Sequence, residues 1–153
     1  GTVADTVKVK TTITAPVLTL AKRVNLTSQL SPVDSDTTGS AAPGDTLYYT
    51  IVMTNTGTGN ATTVQIDDDP TNSGESIYIL NSVTVFNGGL GTAGTLVSDG
   101  AGDVVVGPTN VDVVINGNTI EIDFDQVNGT LAGSNVWTVR FKATIRGTGL
   151  TQG

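Results

Sequence analysis

The chain has 153 residues, a net charge of −7, 37% hydrophobic residues and only 14% charged ones, which suits one domain with its own core. It contains no Cys and no His. That excludes disulfides, thiolate chemistry, His-based zinc or copper sites, and Ser-His or Cys-His nucleophile pairs. All seven basic residues stand near the ends (Lys8, Lys10, Lys22, Arg23, Arg140, Lys142, Arg146), whereas residues 24–139 hold thirteen of the fourteen acidic ones; such a body repels nucleic acid and anionic lipid.

Thr, Asn, Gly, Ser and Val dominate the remaining composition, which favours strands and turns over helices. Residues 2–14 alternate. Val3, Asp5, Val7, Val9, Thr11 and Ile13 share one face, and Lys8 and Lys10 lie on the other, the pattern of a half-buried strand. Ala15-Pro16 interrupts it, and a second strand is expected over 17–24. Residues 25–44 are polar and read as a surface loop. A strong strand follows over 46–55, then a turn at Thr56–Asn60 and a strand over 61–67.

Residues 76–86 form a strand region bent near Asn81, and 89–108 hold glycines and short strand fragments. Residues 111–115 and 119–124 flank Asn116-Gly117-Asn118, a hairpin signal. The last strand, 135–146, alternates most cleanly: Trp137, Val139, Phe141, Ala143 and Ile145 point in, while Arg140, Lys142 and Arg146 point out. Eight or nine short strands with frequent turns are the pattern of an all-β sandwich. The expected organisation is an extension over 1–15, a sandwich over 16–147 and a flexible tail over 148–153.

The run Pro43-Gly44-Asp45-Thr46-Leu47-Tyr48-Tyr49-Thr50-Ile51, continued by Thr54-Asn55-Thr56-Gly57, resembles the opening of the immunoglobulin-like conserved-repeat domain of bacterial and archaeal cell-surface proteins. Leu18–Lys22, the stretch from Leu96 to Phe124 with Asp99, Gly100 and Asp103, and Leu131–Ser134 before the last strand resemble further parts of it. The resemblance spans about residues 16–146. It implies an immunoglobulin-like β-sandwich on the outside of a prokaryotic cell. The start at Gly1-Thr2-Val3-Ala4-Asp5, without Met, reads as a mature N-terminus after removal of a leader.

Residues 2–14 are then surplus to the domain. A lone amphipathic strand leaves its apolar face and its backbone groups unpaired, so it needs a partner. It folds back on its own sandwich, or it inserts into the next subunit and builds an open chain of copies, or it stays flexible. The second route makes Val3, Val7, Val9 and Ile13 interface anchors, with Lys8 and Lys10 meeting the acidic body of the neighbour. The expected function is a non-enzymatic, extracellular, pilus-like or sheath-like homopolymer. The rival is one domain of a larger adhesin or surface-layer protein that binds glycan or protein.

Asp67, Asp68 and Asp69 form the densest acidic run and are candidate Ca²⁺ ligands; no other cofactor is expected. An exposed acidic turn is the commoner explanation for such a run. Asn25, Asn60 and Asn128 open N-x-[ST] sequons, each expected in a loop or turn where glycosylation suits a surface protein. Carboxylates are present for glycoside hydrolysis, but no pair stands out, and one Trp, three Tyr and three Phe offer few sugar platforms.

Overall fold

The computed structural model describes residues 14–26, 41–71, 75–124 and 135–147. These residues contain no helix, and so none that is long and apolar enough to cross a membrane. They form ten strands: β1 Leu18–Asn25, β2 Thr46–Asn55, β3 Val64–Asp68, β4 Ser76–Tyr78, β5 Thr84–Phe86, β6 Gly94–Leu96, β7 Val104–Val106, β8 Thr109–Asn116, β9 Thr119–Phe124 and β10 Val136–Ile145. The strand count exceeds the expected eight or nine for two reasons. The region 76–86 splits in two where Asn81 takes a φ of 56°, a conformation Asn tolerates better than most residues. The glycine-rich stretch 89–108 supplies two strands of three residues each.

Both sheets are antiparallel. The six-stranded sheet runs β1-β2-β10-β5-β6, with β4 also on β10, and the four-stranded sheet runs β3-β9-β8-β7. In the constant-type immunoglobulin arrangement the last strand lies in the other sheet from the second. Here β10 lies directly beside β2, with Val139 opposite Ile51 and Phe141 opposite Tyr49. The β8–β9 hairpin pairs Asn116 with Thr119, leaving Gly117-Asn118 as a two-residue loop. Gly117 has a φ of 64°, as the first central position of a type II′ turn requires.

The core lies between the sheets, as the period-two pattern dictates. Ile51, Met53, Trp137, Val139 and Phe141 from the first sheet meet Ile66, Val111, Val113, Ile120, Ile122 and Phe124 from the second. Phe141 stacks on Tyr49 at 5.2 Å between ring centroids, and Phe124 meets Trp137 edge-on at 5.5 Å. Ile145, expected inward, is only half-buried because β10 ends there beside Ser76 of the short β4.

Candidate functional site

The extension 1–13, with Val3, Val7, Lys8, Val9, Lys10 and Ile13, lies outside the described residues, but the point where it joins the sandwich does not. Asn55, at the end of β2, is fully buried. Its Oδ1 accepts the Val17 N–H at 3.1 Å and the Gly57 N–H at 3.0 Å, and its Nδ2 donates to the Gly59 carbonyl at 2.7 Å. The Thr56 N–H donates to the Val17 carbonyl and the Gly59 N–H to the Ala15 carbonyl. A Cβ on Gly57 would collide with the Ala15 carbonyl oxygen, and one on Gly59 would lie 2.9 Å from Ala15 backbone. Asn55-Thr56-Gly57-Thr58-Gly59 is therefore a bracket around residues 15–17. Asn55 was not singled out as functional from the sequence. The available signal was an Asn closing a strand just before two glycines spaced for a close backbone approach.

Beside this bracket the sandwich is open among the described residues. Leu18, Leu20, Lys22 and Val24 of β1 pair opposite Asn55, Met53, Ile51 and Tyr49, so they continue the core-facing row of β2. Yet Leu18 is 43% exposed and Leu20 is 62% exposed. The opposing sheet stops short, because β3 is its edge strand. Lys22 spans the gap, with Nζ 2.6 and 2.8 Å from the Asp68 carboxylate oxygens and 4.9 Å from the centre of the Tyr49 ring. At the far end of β1 the same inner face opens into a cleft of about 230 Å³ lined by Val24, Leu26, Leu47, Tyr49 and Ile145.

The charge separation seen along the chain becomes a separation of faces. On the outer face of the first sheet, Arg23 and Arg140 flank Thr50, and Lys142 stands beside Tyr48, its Nζ 5.8 Å from the Tyr48 ring centre. On the outer face of the second sheet, Asp67 pairs with Glu121, and Asp123 lies between Gln65 and Asp112. One outer face is basic and the other acidic.

The three adjacent carboxylates diverge. Asp67 accepts from Gln65 Nε2 at 2.6 Å, Asp68 pairs with Lys22, and Asp69 accepts from the Thr71 N–H and hydroxyl. No three Asp or Glu among the described residues stand together in a metal-holding group. Asn60 is exposed in the turn after β2. Asn25 departs from the expected loop placement: it ends β1 and is 8% exposed, with Oδ1 buried and unpartnered among the described residues. The alternating register of β1 runs one residue further than expected, and Asn25 pairs with Tyr48. Asn128 lies outside the described residues.

Two tyrosines hold their protons. Burial pushes the Tyr78 hydroxyl well above its ordinary value of 10.0, and Asp99 adds to the shift, accepting the Tyr78 O–H at 2.7 Å. Burial also raises Tyr49, against a lowering hydrogen bond with Ser76. No protein-family model matches the chain, and no curated protein matches it.

Proposed function

We propose that the chain is the structural subunit of an extracellular prokaryotic filament, pilus-like or sheath-like, that polymerises by donating residues 2–13 to a neighbouring copy. The observation that carries this reading is a segment of alternating sequence ahead of a sandwich in which ten strands of the described residues already make up both sheets. A separate strand of that kind is unstable alone and gains both core burial and backbone pairing by joining another sheet. Burying Val3, Val7, Val9 and Ile13 contributes roughly 6–10 kcal/mol before entropic losses. The sandwich is immunoglobulin-like in the broad sense, with a rearranged strand order. The role is scaffolding, with no reaction assigned.

Electron microscopy of the purified chain tests this. The full chain is expected to form filaments, and a chain lacking residues 1–13 or carrying Val7→Asp and Val9→Asp is expected to form none. Filaments of unchanged abundance and diameter from both variants would sink the proposal.

A further inference from the structure

We infer that the groove between β1 and the free edge of β3 is the acceptor site, and that residues 2–13 of a second copy fill it as a fifth strand of the acidic sheet. This rests on the donated-strand reading above and adds the place where the strand goes.

Three observations select this place. The first is unburied core surface: Leu18 and Leu20 face inward from β1 but have no opposing strand among the described residues. A strand added beside β3 lies beneath them and covers them. The other side of the sandwich has no such deficit, since Val85, Val97 and Val106 there are buried to 2% exposure or less.

The second is parity. With the row Val3, Val7, Val9 turned toward the core, Lys8 and Lys10 must fall on the outer face of whichever sheet receives the strand. Added to β3, they stand on the face of Asp67, Glu121 and Asp123. Added to the free edge of β1, they would join Arg23, Arg140 and Lys142. Opposite charges attract and like charges repel across neighbouring strands, so the charge pattern separates β1 from β3, the two edges that border the groove, and favours β3.

The third is length. Twelve extended residues reach about 40 Å, and the eight residues of β1 span about 26 Å. The donated segment is therefore long enough to run the whole groove, displacing the Lys22–Asp68 pair that crosses it, and to seat an anchor in the apolar cleft beyond Val24.

Leu18 and Leu20 are exposed, so Leu18→Asp with Leu20→Asp is expected to leave the thermal unfolding of the unassembled chain within a few degrees of wild type. Filament mass in a sedimentation assay should fall at least tenfold, as it should for Val7→Asp with Val9→Asp. Val105→Asp, on an exposed position of β7, should leave filament mass unchanged. Filaments that survive charges at 18 and 20 but not at 7 and 9 would overturn the groove while leaving strand donation standing. Filaments that survive both pairs would remove strand donation itself.

A second measurement does not depend on the folding of those variants. The chain has no cysteine, so full-length Val7→Cys mixed with a size-tagged full-length Leu20→Cys offers only two kinds of thiol to a short bis-maleimide. The expected product is a heterodimer of the two sizes, depleted severalfold by Lys8→Glu with Lys10→Glu. Absence of that heterodimer, or an efficient intramolecular product in a single chain carrying both cysteines, would show self-pairing or another site and overturn the inference.

Discussion

The two sides of the sandwich are built from similar short strands but end differently. On the β6–β7 side the sheets are stitched together. Asp99 accepts hydrogen bonds from the Tyr78 hydroxyl and the Asn81 N–H, and its own N–H donates to Asn81 Oδ1. The Gly100 N–H donates to the Val113 carbonyl of β8, and Asn87 presses against Gly107. On the β1–β3 side one ion pair, Lys22–Asp68, crosses a gap lined by exposed leucines. The contrast shows that edge strands are protected by loops that cross between sheets, and that where none of the described residues crosses, core surface stays exposed.

The largest effect that tests this contrast is a buried charge. Val97→Asp places an unpaired carboxylate at a fully buried position and should cost about 4 kcal/mol or more, whereas Leu20→Asp should stay within about 0.5 kcal/mol. Urea denaturation of unassembled chains measures both, and equal losses would erase the distinction between the sides. Asn55→Ala removes three hydrogen bonds at the bracket and should cost about 2–3 kcal/mol; a loss under half of that would mean the glycine turn holds residues 15–17 unaided.

Gly107→Ala should cost about 1 kcal/mol or more, because the backbone φ is 60° and the new Cβ collides with the Asn87 side chain. A neutral result would show the stitch to be soft. For the open side, a double-mutant cycle on Lys22 and Asp68 should give a coupling below about 1 kcal/mol that shrinks in salt, since the Lys side chain is 40% exposed. A larger coupling would make the ion pair a true closure of the gap.

The smallest effect is the alkaline response of the closed side. The Tyr78 proton is held more tightly in the folded chain, so its stabilisation is complete below the ordinary tyrosine value near 10.0 and declines as pH rises above it. Tyr78→Phe should flatten that decline in stability measured from pH 9 upward. An unchanged slope would assign the decline to other groups.

Much of this was legible in the sequence because strand faces are a local property. The alternation in 46–55 and 136–145 marked the residues that became the core rows, and the Asn-Gly signal at 116 marked the hairpin. Asn25 was misplaced in a loop because a polar residue at a strand end looks the same whether β1 stops before or after it. The exposure of Leu18 and Leu20 was invisible for a different reason. Their pattern is that of any half-buried strand, and whether a second sheet reaches beneath them depends on where that sheet stops.

By itself, then, the sequence determined which residues extend, which side of each strand is apolar, and that basic charge sits at the chain ends and acid in the middle. Only the tertiary structure decided that β10 lies beside β2, that Arg23, Arg140 and Lys142 share one outer face while Asp67, Glu121 and Asp123 share the other, and that β1 overhangs β3. The physical reason is that side-chain alternation follows from local backbone geometry, while backbone hydrogen bonding carries no residue identity. Strand neighbours, and therefore free edges, are chosen only when the whole core packs.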